Sequence, residues 1–136
     1  MTEHERARLL QAAREAASRS YSPYSHFRVG AALLCTDGSV VTGTNVENRS
    51  YGLTMCAERS AVAVAVSQGR RDFAALAVAC PDADAPVPPC GACRQVLGEF
   101  SAAGMPVLFA GRGGGHRELT MGELLPYDSL HELKNR

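Results

Sequence analysis

Two short motifs restrict how this chain can fold: "MCAERSAV" from Met55 and "PPCGACRQVL" from Pro88. Each places thiols at the entrance of an apolar, helix-like run. Cys90 and Cys93 are three residues apart, so at a helix start both sulfurs face one point in space. Two thiols do not complete a metal site, and Cys56, itself at a helix start, is the natural third. Three protein ligands with one open position is the pattern of catalytic zinc, whereas structural sites take four. The alternative is a closed four-cysteine site that recruits Cys35 or Cys80. Those two lie in apolar, strand-like runs and suit core positions, as free Cys often does. A redox role for Cys90-x-x-Cys93 is disfavoured, because no Trp precedes the pair and it comes late in the chain. The thiol count is five, an odd number that does not suggest a disulfide framework.

Helix entrances matter because their free N–H groups and positive dipole ends favour thiolate over thiol. Three thiolates on Zn²⁺ leave an excess negative charge, and either Arg59 or Arg94 is placed to offset it by hydrogen bonding to sulfur. Glu58, two residues from Cys56, is too close to share the metal comfortably. It is well placed to take a proton from water at the site and deliver it elsewhere.

The rest of the chain reads as an alternation of helices and strands. Leu9, Leu10, Ala13, Ala16 and Ala17 mark one face of an opening helix. "SYSPYSHF" is a loop, and "RVGAALLCT" and "SVVTGTNVE" are strands joined at an Asp37-Gly38 turn. A helix spans about Cys56 to Gln68, a strand "FAALAVAC" follows, and a second helix spans about Cys90 to Ala102. "PVLFAG" is another strand. "GRGGGH" lacks the Gly-Lys-Ser/Thr ending of a phosphate loop and reads as a turn between strands. "TMGE" is a capping box for one short last helix. With no repeat or linker, residues 1–136 read as a single domain, a sheet covered by helices.

Composition narrows the partners. Lys plus Arg and Asp plus Glu number 14 each, for zero formal net charge. That balance argues against a general electrostatic grip on nucleic acid or an anionic membrane and favours a small-molecule partner. The first twenty residues are too charged for a signal peptide or membrane span, which suits a cytoplasmic protein with reduced thiols.

The motifs "YSPYSHFRVGAALL", "TGTNVENRSYGLTMCAERSAV" and "PCGACRQVL" closely resemble the small all-cysteine cytidine deaminases. The resemblance implies an α/β, three-layer fold with a mixed five-stranded sheet between helices. It implies hydrolytic deamination of cytidine and 2′-deoxycytidine to uridine and 2′-deoxyuridine with release of ammonia, in pyrimidine salvage. By the same resemblance, Cys56, Cys90 and Cys93 hold one Zn²⁺ per chain and Glu58 shuttles the proton. Asn45 and Glu47 bind the ribose, Phe27 packs on base and sugar, and the Ala57 N–H meets the base O2. The Pro88 carbonyl, where the family usually has Ser or Thr, receives the departing amino group, and Arg59 tempers the thiolates. The family assembles as a homotetramer with shared sites, to which Tyr51 is expected to contribute. After "LLP" the family carries a Phe that encloses a neighbour's base. Ser129 stands at that position here, and Tyr127 is the aromatic expected to take its place.

Two other readings compete. One is a deaminase of a modified cytosine nucleoside, of the blasticidin S type, against which "NVEN" supplies ordinary ribose recognition. The other is a non-catalytic zinc-stabilised binding module, which gives Cys56-x-Glu58 no purpose.

Overall fold

The computed structural model describes residues 1–130 and 133. Its elements run α1 (Glu3–Ala17), β1 (Gly30–Cys35), β2 (Val40–Thr44), a short 3₁₀ turn (Tyr51–Leu53), α2 (Ala57–Ser67), β3 (Phe73–Ala79), α3 (Gly91–Phe100), β4 (Pro106–Ala110), β5 (His116–Thr120) and α4 (Met121–Leu124). The strands form one five-stranded sheet in the order β2-β1-β3-β4-β5. Only β3 and β4 are paired parallel; β1 runs antiparallel to both β2 and β3, and β5 antiparallel to β4. The sheet is therefore mixed, as the resemblance implied.

Alternation along the strands sorts side chains onto two unlike faces. In β3 and the residue after it, Leu76, Val78 and Cys80 join Leu33, Val107 and Phe109 in the core shared with Ala57, Ala61 and Ala65 of α2 and Leu97 of α3. The intervening Ala75, Ala77 and Ala79 face the other way and pack with Leu9, Leu10 and Ala13 of α1. Helices thus cover both faces, which makes the three layers. The small residues let α1 come close: a Cβ at Gly30 would run into the Ala13 carbonyl and the Ala17 amide. The residues buried on α1 are Leu9, Leu10, Ala13, Ala16 and Ala17, the predicted stripe.

Strand direction decides where the helices on the other face begin. Because β1 is antiparallel to both its neighbours, β2 and β3 point the same way. The helices that follow them, α2 and α3, therefore both start beyond the carboxyl ends of parallel strands, where α/β sheets place their ligand crevices. Gly43 seats α2 against β2, since a Cβ there would clash with the Ala57 carbonyl and the Ala61 backbone.

Smaller details differ from the sequence expectations. The helix predicted to reach Ala102 ends at Phe100, where Ser101 adopts extended backbone and its hydroxyl donates back to the Leu97 carbonyl at 2.7 Å. The "GRGGGH" turn leads into β5, an edge strand whose first three residues are exposed. The Thr120–Glu123 capping box is present in full at the start of α4. No helix among the described residues is long and apolar enough to cross a membrane.

Candidate metal centre and adjoining cavity

Cys56 and Cys90 are the N-cap residues of α2 and α3, and Cys93 lies one turn into α3. Neither cap cysteine spends its sulfur on capping. The three sulfurs lie within 4.8 Å of one another, and among the described residues no other His, Cys, Asp or Glu group forms such a cluster. Cys90 and Cys93 Sγ are 3.5 Å apart. Tetrahedral Zn–S bonds of ~2.3 Å would separate sulfurs by about 3.8 Å, so small adjustments admit the ion. Cys35 and Cys80 are buried in the core instead.

The electrostatics favour a cation there. The Cys56 thiol is pulled down to about 5, first by a hydrogen bond from Cys93 and then by Arg59. Cys93 gives that hydrogen bond, is buried, and is pushed up. The Cys56 thiolate thus suppresses ionisation of Cys93, and a divalent cation would offset that repulsion. The residues fit zinc.

Arg59, rather than Arg94, is the arginine at sulfur. Its Nη2 donates to Cys56 Sγ at 3.2 Å, and its Nε–H is buried without a partner. Arg94 turns the other way, donating to the carbonyls of Pro89 (2.7 Å) and Leu124 (3.0 Å). It ties the start of α3 to α4.

Beside the sulfurs opens a cavity of about 410 Å³. Its lining includes Phe27, Asn45, Glu47, Cys56, Ala57, Glu58, Pro88 and Cys90, so most residues expected at the site share one wall-to-wall space. Glu58 is 5% exposed, and burial, then the charge of Cys56, pushes its carboxyl above the usual range. Buried Asn45 is already engaged: Oδ1 accepts from Ser20 Oγ (2.5 Å) and Val29 N–H (3.0 Å), and Nδ2 donates to the Phe27 carbonyl (2.8 Å). That leaves one of its amide N–H groups for a ligand. Glu47 is half-buried and accepts from the Tyr24 N–H (3.0 Å), the Ser25 N–H (3.2 Å) and the Ser25 hydroxyl (2.5 Å). The Ser25 hydroxyl leads in holding its carboxyl low, so it stays charged.

Tyr24 and Ser25 stand out as residues that sequence reasoning missed; their signal was the "YSPYSHF" stretch, read as a loop and as part of a family motif from which Phe27 alone was assigned to the site. Ser25, Val29, Thr54, Val78, Cys80 and Val87 also line the cavity. Cys80, expected only as core, therefore presents a second face to the site.

Tyr51 and Tyr127 stand outside it. Tyr51 is 75% exposed, packs edge-on against Tyr24 with ring centres 6.0 Å apart, and lines a groove that shares Ser25, Glu47 and Thr54 with the cavity. Tyr127, 93% exposed, lines a different groove with Gly98 and Met121, between α3 and α4. Ser129 is exposed and lines neither.

Residues 3–109 match the sequence model of the family described as "Cytidine and deoxycytidylate deaminase zinc-binding region". The chain is 52% identical over 122 residues to the cytidine deaminase of Halalkalibacterium halodurans, covering 90% of this chain and 92% of that one. It is 32% identical over 100 residues to the blasticidin-S deaminase of Bacillus cereus, covering 68% of this chain and 71% of that one. The crystal structure of cytidine deaminase from Burkholderia pseudomallei superposes with a TM-score of 0.85 at 46% identity, over 93% of this chain and 98% of that one. A zinc-binding family model that spans most of the chain agrees with the three-thiol cluster at the two helix entrances: the chain belongs to the cytidine and deoxycytidylate deaminase zinc-binding family.

Proposed function

We propose that the chain, as one deaminase domain over residues 1–136, converts cytidine and 2′-deoxycytidine plus water to uridine and 2′-deoxyuridine plus ammonia. The observation that carries this reading is the cavity lining. Glu58 and two of the three clustered thiols meet Asn45 and Glu47 in one space, and among the described lining residues there is no Lys, Arg or His. The family includes deaminases of a nucleoside and of its phosphate. A cation-free cavity carrying a charged Glu47 favours the neutral nucleoside and repels the phosphate.

Cys56, Cys90 and Cys93 would hold the zinc, which when bound supplies the Lewis acidity that lets water ionise near neutral pH. Glu58, buried beside them, takes a proton from the attacking water and passes it to N3 of the ring as C4 is attacked. A further proton carried by the same carboxyl lets the amino group leave as ammonia, toward the Pro88 carbonyl. The Ala57 N–H, in the first turn of α2, orients O2 of the base. Asn45 and Glu47 fix the ribose, and Phe27 covers base and sugar, holding the reacting atoms in register.

The chain works in pyrimidine salvage in the cytoplasm, as a homotetramer. Support for assembly comes from exposed apolar side chains: Tyr21, Val46 and Met55 on backbone-bridged segments, and Tyr51 on the groove that adjoins the cavity. The test is loss of cytidine absorbance with zinc quantified in the same preparation. Turnover of cytidine and deoxycytidine is expected, with cytidine monophosphate and blasticidin S turned over far more slowly. Efficient use of either of the last two would overturn this substrate assignment. About one zinc per chain without any turnover would favour the binding-module reading instead.

A further inference from the structure

Two walls of the cavity come from loops that run on past the last paired residues of β1 and β3, Gly30 and Ala79. Phe27 and Val29 line one side from the loop before β1, while Val87 and Pro88 line another from the loop between β3 and α3. Between Phe27 and Val29 stands Arg28, and it joins the two segments through Asp82. The Arg28 N–H donates to Asp82 Oδ2 at 2.8 Å, Nε donates to the same oxygen at 3.0 Å, and Nη2 donates to Oδ1 at 2.7 Å. One carboxylate thus takes both arms of a guanidinium and the amide of the residue next to Phe27.

The far side of the same loop is held as well. The Arg112 N–H donates to the Ala83 carbonyl at 2.6 Å, and its guanidinium pairs with Asp84 at 3.1 Å. The acidic residues of "PDADAPVPP" are therefore employed in pairs, and the loop that leads into Cys90 is anchored from both flanks. Arg112 fixes it to the end of β4. Arg28 fixes it to the Phe27 wall.

We propose that Asp82 and Arg28 are positioning residues for the deamination reaction, setting the distance between the Phe27 and Pro88 walls and so the grip on the nucleoside. A bidentate pair reinforced by a backbone N–H has a defined geometry, unlike a single flexible surface contact. Neither residue lines the cavity, so each acts only through its neighbours. The ion pair is partly exposed, which bounds the effect to that of a modest interaction.

The assignment rests on the cytidine reading above, so its test has one arm that needs no turnover. Asp82→Ala and Arg28→Ala should each raise KM for cytidine about three- to tenfold, with kcat changed less than KM and zinc content unchanged. The double variant should be no worse than either single one, because the two residues form one interaction. Asp82→Asn, which keeps an acceptor for the Arg28 N–H, should recover part of the loss. Independently of activity, amide exchange in Asp82→Ala should rise together in residues 25–29 and 81–89 and stay unchanged in α1. A lower melting temperature with KM unchanged would overturn the proposal, as would additive single effects or faster exchange in only one of the two segments. If the wild type turns over no cytidine, the functional reading fails while the exchange experiment still decides the clamp.

Discussion

Arg59 stands one helical turn from Cys56 and donates to its sulfur at 3.2 Å, leaving its own Nε–H buried and unpaired beside the cluster. The pair joins a permanent cation to the thiolate that is easiest to form. Removing the cation should leave the metal site more electron-rich and its water less acidic. Arg59→Gln is expected to shift the pH–activity profile upward and retain only part of the zinc. Arg94→Gln should instead lose roughly 1–3 kcal/mol of stability without that shift, because its hydrogen bonds go to carbonyls. A profile displaced by Arg94→Gln and not by Arg59→Gln would reverse the assignment.

Glu58 sits in the first turn of α2 but is buried rather than solvated at the helix dipole. Glu58→Gln keeps the shape and removes the proton carrier. It should hold about one zinc per chain and lose ~10²–10⁴-fold in kcat. Turnover within a few-fold of wild type would remove Glu58 from the reaction.

The five cysteines divide into two groups by environment. Cys56→Ala, Cys90→Ala and Cys93→Ala should each release zinc, whereas Cys35→Ala and Cys80→Ala should retain it and lose roughly 1 kcal/mol of stability. Cys80 also lines the cavity, so its variant should change KM as well. Zinc loss from either core variant, measured after desalting, would indicate a four-thiol site.

Asp37, at the turn between β1 and β2, has its carboxyl held down to about 2, first by the Ser39 hydroxyl, then by the Ser39 N–H, with Arg70 adding to it. A carboxyl lowered in the folded state stabilises the fold above its unfolded value of about 3.8, and that contribution disappears as pH falls through about 2. Asp37→Ala should therefore melt below wild type at neutral pH, with the gap closing as pH drops from about 4 to about 2. A gap that widens in acid would contradict the sign.

Tyr127 lies on a groove away from its own chain's cavity, so any contact with the base must come from a neighbouring subunit. An aromatic lost from such a contact is worth about 0.5–1.5 kcal/mol beyond its area. Tyr127→Ala should weaken cytidine binding several-fold in the assembled protein, and Ser129→Ala should change little. A silent Tyr127→Ala in a verified tetramer would leave Phe27 as the next residue to examine.

Most of the fold was legible because most elements carry a local signal. The opening helix advertises its buried stripe, and the last helix its Thr120–Glu123 box. Strand β5 carries none, since His116, Arg117 and Glu118 form an exposed edge with no apolar alternation. The end of α3 was misplaced by two residues because Ser101, not a glycine, turns the chain out of the helix. At the site, the clustering of Cys56, Cys90 and Cys93 was readable from spacing alone, and Glu58 lies buried in the wall of the adjoining cavity. Spacing left the choice between Arg59 and Arg94 open, since both flank a ligand; the family resemblance pointed to Arg59, and the hydrogen bond to Cys56 agrees. Tyr24 and Ser25 reach Glu47 through loop N–H groups and the Ser25 hydroxyl, which leaves no periodic trace in sequence.

The two faces of β3 impose opposite rules on sequence change. Toward α1 the strand shows Ala75, Ala77 and Ala79 with Gly30 alongside, and nothing there can be trimmed to any effect. Harm on that side comes from enlargement, as even one added methyl at Gly30 drives the helix off the sheet. Toward α2 and α3 the same strand shows Leu76 and Val78, where harm comes chiefly from shrinkage and the void it leaves. A saturating substitution scan should therefore alternate in sign of size preference, residue by residue, along the five consecutive positions from Ala75 to Ala79, and lose the alternation at the bulge that puts Phe73 on the face of Leu76 and Val78. Along β3 of this chain, the face toward the helix that bears no thiol is thus governed by a requirement for smallness, and the face toward α2 and α3 by a requirement for bulk.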